Sequence, residues 1–297
     1  MFVLAHLSDP HLSPLPEPRW SELIGKRAAG YVNWRRKRHR IHRPEVLARV
    51  VQDLKASAPD HIAVTGDLAN ISLAQEYAPA RAFLESLGSA RDVTLVPGNH
   101  DVYVRGVDGH LRSHWGDYMR GEDGDEHVLE FPLLRRRDSV ALIGLSSAVA
   151  TAPFMATGRL GKTQIVRLAE LLERCRGEGR FRVVLIHHPP RSSRRRYFKR
   201  LIDGSELRAT LQRHGAELVL HGHDHEHSLI YLDGPRSRIP ALGVPSASQV
   251  PQAEHGPAGY NLYRISGRAG DWRCELAARA LSRDGEGVTE VNRIVLY

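Results

Sequence analysis

Cysteine is almost absent. The chain carries two in 297 residues, Cys175 and Cys274, far apart and without the paired spacing of a metal or redox motif. That excludes a thiolate zinc site and a disulfide framework, and it suits a reducing compartment. Long apolar runs are missing as well: nothing approaches the roughly 20 residues of a membrane-spanning helix. The opening "MFVLAHLSDPHL" has neither a basic leader nor a small-residue cleavage site, so it reads as a core strand and not as a signal peptide. There is no repeat of fixed period and no low-complexity tail. The expected location is cytoplasmic.

What is present is ordinary for a soluble globular protein: 41% hydrophobic and 26% charged residues. The length accommodates one large α/β domain or two small ones. The charge is not evenly spread. The formal net charge is +8, and the stretch Arg19–Arg43 alone holds nine Lys/Arg against one Glu, leaving 33 of each sign elsewhere. A local anionic contact is therefore expected, and not a chain coated by nucleic acid.

Short apolar runs alternate with helical patterns. Strand-like segments are Phe2–Ser8, His61–Asp67, Asp92–Asp101, Ser139–Ser147, Phe181–Pro190 and "AELVLHGHDH". Helical spacing is clear over 44–57, with Pro44 suited to the first position, and over Lys162–Cys175 and Ser205–His214. Another helix is expected from about Leu73 to Leu87, with Ser72 as its cap and Gly88 as its stop. After His227 the pattern turns to short strands and turns, giving a strand-rich part over 227–297. These strands could extend a second sheet, cap a pocket or form a contact between copies. The fold class is α/β, sheets flanked by helices.

Five of the strand-like segments end in residues suited to metals. They are "SDPHL" with Asp9 and His11, "TGDL" with Asp67, "PGNHD" with Asn99, His100 and Asp101, "IHHPP" with His187 and His188, and "HGHDH" with His221, His223 and His225. Ligands of open α/β sheets bind beyond the carboxyl ends of the strands, so these five ends should meet in one crevice. A lone histidine is ordinarily a surface or satisfied core residue. Ligand types gathered at five strand ends argue otherwise. Carboxylate with imidazole suits first-row metals. The set is too large for one four-coordinate ion, which points to two metals bridged by an Asp. The glycines before Asp67, Asn99 and His223 should permit unusual dihedrals where backbone nears the ions.

The ordered set D-x-H, G-D, G-N-H-D, H-H-P-P and G-H-x-H resembles the calcineurin-like metallophosphoesterase superfamily over residues 9–225, closest to the bacterial class III cyclic-nucleotide phosphodiesterase-like branch. The resemblance implies a four-layer αββα sandwich of two mixed β-sheets flanked by helices, a single domain over 1–297. It implies that Asp9, His11 and His225 hold one metal, and that Asn99, His187 and His223 hold a second. Asp67 would bridge them. A hydroxide shared by the metals would attack phosphorus in line, while His100 contacts the phosphate and stabilises or protonates the leaving oxygen. The metals could be Mn, Fe or Zn, singly or mixed.

Around this set, Asp101, His188 and His221 are read as residues that support the ligands or line the substrate pocket, and His227 as peripheral. Arg19–Arg43 is a basic amphipathic insertion. Trp20, Leu23, Ile24, Ala28, Tyr31 and Trp34 make an apolar helical stripe, followed by Arg35, Arg36, Lys37, Arg38 and Arg40. It reads as a packed helix with a solvated basic end, a membrane-surface contact, or a gatherer of anionic substrate. "RSSRRRYFKR", 191–200, is read as a solvent loop or a lid. The expected activity is hydrolysis of a cyclic nucleotide or other small phosphodiester. The alternatives are a lipid-linked phosphodiester or pyrophosphate at a membrane surface and, more remotely, a non-catalytic scaffold. A nuclease role is disfavoured because the basic residues lack interleaved aromatics. The oligomeric state is left open.

Overall fold

Five strands form where the apolar runs end in candidate ligands, and each runs parallel to a neighbour among the five. The structure, a computed structural model, describes residues 1–123 and 128–297. In the first sheet, β1 (Phe2–Leu7) pairs in parallel with β2 (His61–Val64), and β2 with β3 (Val93–Leu95). In the second, β6 (Phe181–Leu185) pairs in parallel with β7 (Leu218–His221). Each of β2, β3, β6 and β7 is buried at every position. Burial on both faces is why these segments read as continuous Val/Leu/Ile runs and not as alternation.

The remaining strands widen the two sheets. β4 (Leu133–Arg137) and β5 (Val140–Gly144) lie on one side of β6, and β8 (Ser228–Leu232) and β9 (Ile239–Gly243) on the far side of β7, giving the order β4-β5-β6-β7-β9-β8. β10 (Gly259–Arg268), β11 (Asp271–Leu281) and β12 (Val288–Val295) join the first sheet instead, in the order β12-β11-β10-β1-β2-β3. The strand-rich C-terminal part is thus divided between both sheets. β4 has no counterpart among the strands expected from sequence: "LLRRR" alternates poorly and carries three arginines.

Helices cover the outer faces. α1 (Lys26–Asn33) runs through a π turn, Trp34–Arg38, into α2 (His39–Ile41). α3 (Pro44–Ala56) begins on Pro44 as expected and buries Val46, Leu47, Val50 and Leu54. α4 (Tyr77–Leu87) follows a short 3-10 turn. α5 (Asp108–His110) and α6 (Gly116–Met119) flank a second π turn. α7 (Lys162–Gly177) and α8 (Gly204–His214) complete the set. α3 and α4 pack on the first sheet through a core that includes Leu54, Leu84, Leu7 and Val64. α7 and α8 pack on the second through Leu168, Leu172, Leu207 and Val184. Leu4, Ala63, Leu142, Leu185, Leu220 and Tyr263 fill the space between the sheets. The result is a four-layer αββα sandwich of two mixed sheets. Truncating a wholly buried side chain such as Leu185 to Ala would cost about 2–5 kcal/mol.

Two expectations change. Ser72 does not cap the helix that follows. Among the described residues no side chain caps α4; the Glu76 carboxylate holds the turn ahead of it, accepting from the backbone N–H of Ile71 at 3.1 Å and of Leu73 at 2.8 Å. The Ser72 hydroxyl instead donates to the His100 carbonyl at 2.7 Å and accepts from Tyr103 N–H at 2.9 Å. The apolar stripe of the basic insertion also splits. Leu23, Tyr31 and Trp34 pack on a small cluster of Leu15, Ile71, Leu73 and Tyr103, while Trp20 and Ile24 stand 91% and 74% exposed.

Candidate metal centre

The chain turns sharply as it leaves each of the five parallel strands. Five residues in these turns, Asp9, His11, Asp67, His223 and His225, have positive φ, between 38° and 71°. Left-handed backbone is uncommon in residues other than glycine and clusters where function requires it. Asp9 N–H bonds to the Gly66 carbonyl at 2.9 Å and His11 N–H to that of Asp67 at 3.0 Å, so the ends of β1 and β2 are tied together. Only Gly66 has the positive φ expected of the motif glycines. At Gly98 and Gly222 the reason is space: a Cβ would collide with the Asp67 carboxylate at one and with Ser8 and Asp9 at the other.

These turns bring all seven candidate ligands together, six of them in interlocking groups. Asp9, His11 and Asp67 form one group, and Asp67, His187 and His223 another, with ligand atoms within 4.8 Å of one another in each. Asp67 belongs to both. Its Oδ2 lies 3.9 Å from His11 Nε2 and 3.4 Å from His187 Nε2. His225 Nε2 lies 3.1 Å from Asp9 Oδ1 and 3.3 Å from His11 Nε2. The seventh, Asn99, places Oδ1 3.2 Å from His187 Nε2, and His223 Nδ1 is 3.2 Å from the same nitrogen. His187 donates Nδ1–H to the Thr65 carbonyl at 2.6 Å, and His11 directs Nδ1 to that of Ala69 at 3.3 Å. Those carbonyls fix the tautomers and turn both Nε2 atoms inward.

The electrostatics fit a cation at this point. Burial works against the Asp67 anion, but His187 and His100 outweigh it and hold the carboxyl well below its ordinary value. Burial likewise opposes a charge on His187, but Asp67 raises that imidazole to about 10. Burial first, then Arg38 for His11 and His188 for His223, keep those two rings neutral and able to ligate. His223 Nε2 is buried without any hydrogen-bond partner. Imidazole nitrogens facing one another and a carboxylate, with an orphaned nitrogen among them, make a donor set that suits metal ions.

The supporting residues resolve into distinct tasks. Asp101 accepts from the backbone N–H of Asp67, Ala69 and Gly98 at 2.8, 2.9 and 2.8 Å, clamping two ligand turns together. His188 does not reach the cleft: both ring nitrogens are engaged, with Ser147 Oγ at 2.7 Å and the Ala156 carbonyl at 3.0 Å. His221 is buried at the end of β7, its Nδ1 3.1 Å from the Gly222 carbonyl, and His227 is exposed. His100 donates N–H to Asp67 Oδ1 at 2.7 Å and its ring Nδ1–H to the Asn70 carbonyl, which turns Nε2 toward the cleft as an acceptor.

Three residues here carry no motif signal. Arg38 enters from the insertion, with Nη2 2.7 Å from His11 Nε2 and Nη1 3.1 Å from His100 Nε2. His42 stands with its ring centroid 4.6 Å from that of His11, in a third group with His11 and His225. Lys26 lines the same cleft, which has a volume of about 910 Å³. All three lie in the basic insertion, whose net charge was the one sequence signal that could have found them. The insertion therefore forms a wall of the cleft. Arg196 and Lys199 line it from the opposite basic segment, 191–200.

A two-sheet sandwich with Asp, Asn and His from five strand ends facing one cleft is the plan of a metal-dependent phosphoester hydrolase. Residues 2–227 match the calcineurin-like phosphoesterases, and the chain belongs to that family. It is similar to a probable cyclic nucleotide phosphodiesterase of Synechococcus sp. (strain WH7803), 29% identical over 251 residues, which cover 82% of this chain and 81% of that protein. Among solved structures it resembles a dimetal phosphatase from Danio rerio, with TM-score 0.64, 12% identity and 99% and 98% of the two chains covered. It also resembles a purple acid phosphatase from yellow lupin, with TM-score 0.63, 12% identity and 99% of this chain against 53% of the other. At such identity these two likenesses show the fold alone. No helix among the described residues is long and apolar enough to cross a membrane.

Proposed function

We propose that the chain is a phosphodiesterase that works with two metal ions on a small phosphodiester, a cyclic nucleotide among the candidates. The observation that carries this is the membership of Asp67 in both carboxylate-containing groups, the placement a bridging ligand requires. In this reading Asp9, His11 and His225 hold one ion, Asn99, His187 and His223 the other, and Asp67 both. When bound, the ions supply Lewis-acid charge and an activated water. The chain's own residues do the rest. His100, anchored through Nδ1–H on Asn70, presents Nε2 to the phosphoryl group and handles the proton of the leaving oxygen. Both sheets contribute ligands, so residues 1–297 are read as one domain.

The similarity to a probable cyclic nucleotide phosphodiesterase favours a diester over a monoester. The test is a panel of cyclic nucleotides, linear diesters, monoesters and lipid-linked pyrophosphates on protein of measured metal content, with Mn²⁺, Fe²⁺ and Zn²⁺ each supplied. Diester turnover that disappears on chelation supports the reading. No turnover under any metal would favour a scaffold.

One observation favours a second reading, a lipid-linked phosphodiester or pyrophosphate. Trp20, Ile24 and Phe154 stand 91%, 74% and 91% exposed, and Phe154 lines the cleft. Aromatic and basic residues together suit an anionic bilayer surface. Liposome co-sedimentation, lost on charge reversal at Arg35, Arg36 and Arg40, separates this reading from the first.

A further inference from the structure

The insertion helix carries two cations to the cleft that the reading above does not use. Arg38 sets Nη1 3.1 Å from both ring nitrogens of His100 and Nη2 2.7 Å from His11 Nε2. Lys26 is only 7% exposed. Its Nζ donates to Thr151 Oγ1 at 2.6 Å and lies 4.2 Å from the centre of the Tyr103 ring. Tyr103 stacks on His100, with centroids 5.2 Å apart and planes inclined by 18°. Lys26, Tyr103, His100 and Arg38 thus form a continuous row along one wall.

Among the described residues neither cation ends on a carboxylate. Arg38 meets imidazole nitrogens and Lys26 a hydroxyl. Desolvating a cation without an anion to pair it is costly. The backbone also departs from regularity to place one of them. Gly30 and Asn33 follow Lys26 on one face of a helix that advances about 100° per residue, and at that advance Arg38 would fall about 100° off that face. The extra residue of the π turn Trp34–Arg38 restores it to the cleft. Once His11 gives its Nε2 lone pair to a metal, Nη2 loses that acceptor.

We propose that Arg38 and Lys26 form an anion clamp with two stations. Arg38 binds a non-bridging oxygen of the phosphoryl group at the metal centre, and Lys26 binds a second anionic group of the same substrate. The substrate class is then a phosphodiester that carries another phosphoryl or carboxylate group. A cyclic mononucleotide would use only the Arg38 station. This inference rests on the phosphodiesterase reading for the identity of the first station.

The test uses calorimetric binding of methylphosphonate, with one anionic group, and 6-phosphonohexanoate, with two, to metal-loaded protein of measured metal content. Wild type should bind the second ligand more tightly. Arg38→Met should keep its metal and weaken both ligands by about tenfold or more, and Arg38→Lys should recover part of the loss. Lys26→Met should weaken 6-phosphonohexanoate alone. If Arg38→Met melts early, Arg38→Lys decides: affinity unchanged from wild type by either variant overturns the first station. Loss of metal in Arg38→Lys overturns it too, because Arg38 would then be ordering His11. Equal binding of the two ligands by wild type overturns the second station. If wild type hydrolyses no diester while these binding differences persist, the phosphodiesterase reading fails and the clamp stands.

Discussion

Arg196 is ion-paired with Asp224, the residue that separates His223 from His225, and its other amino group reaches Glu226 at 3.0 Å. The pair joins the basic segment 191–200 to the turn that supplies two candidate ligands. Both of those ligands sit in left-handed backbone, which surrounding structure must hold in place. Arg196 is positioned to do so from outside the ligand set. Arg196→Ala should weaken metal binding by about 10–100-fold, the usual effect of losing a partner behind the ligands. Stability should change by less than about 1 kcal/mol, because the pair is partly exposed. Competition against a chelator of known affinity reads the first and urea unfolding of the metal-free protein the second. Unaltered metal affinity would show that the turn holds itself.

Asp101 presents a different case, because three backbone N–H groups from two turns converge on one carboxylate. Burial and the nearby Asp67 push its pKa up, while the N–H donors favour the ionised form. Asn is nearly isosteric but would direct an NH₂ at one of those donors. Asp101→Asn should therefore destabilise the protein by about 2–4 kcal/mol and reduce its metal content. Urea unfolding and elemental analysis check the two effects. A stable variant with full metal occupancy would show that the two turns do not depend on this clamp.

His100 and Asp67 separate chemistry from metal retention. His100→Ala should leave metal content nearly intact and reduce turnover by about 10²–10⁴-fold, the usual contribution of a positioned proton-transfer group. Asp67→Ala should lose metal, since Asp67 stands in both groups. Elemental analysis beside diester turnover distinguishes them. Metal loss from His100→Ala would reassign the His100 imidazole to holding Asp67 ionised, an influence it exerts together with His187.

The ligand set was legible because each member follows a short apolar run and belongs to a local motif. Strand direction alone then brings five chain ends to one edge of two sheets. The roles of the basic insertion were not legible, for physical reasons. Arg38 reaches the cleft through a π turn that breaks the ordinary helical phase, so the periodicity that grouped it with Arg35 and Arg36 misplaced it. His42 is brought beside His11 by tertiary packing and by Ser248, whose hydroxyl lies 2.9 Å from its Nδ1 across 206 residues of sequence. Ser72 was expected to cap a helix because local hydrogen bonding favours it there. The Glu76 carboxylate satisfies that turn instead, which frees Ser72 to hold His100. His188 shares its motif with His187, but successive residues of an extended chain point in opposite directions. It was therefore directed to Ser147 and Ala156 and away from the cleft.

Far from the cleft motifs, His61 gives a prediction about acid stability. It opens β2, is 1% exposed, and places Nε2 2.7 Å from Thr94 Oγ1. Burial, then Arg137 and Arg135, hold its imidazole down at about 3. In the unfolded chain the same ring titrates near its ordinary value of about 6.5. Above that pH both states are neutral and His61 adds no pH dependence. Below it the unfolded chain takes up a proton that the folded one refuses, so stability falls by about 1.4 kcal/mol per pH unit down to the folded value. His6 is held down to about 3 in the same way, so the slope of wild type alone would not isolate His61. The difference between wild type and His61→Gln does, because every other group is common to both. Urea unfolding at pH 7 and pH 5 should show wild type losing about 2 kcal/mol relative to the variant. An unchanged difference would mean that the folded protein protonates His61 as readily as the unfolded chain does.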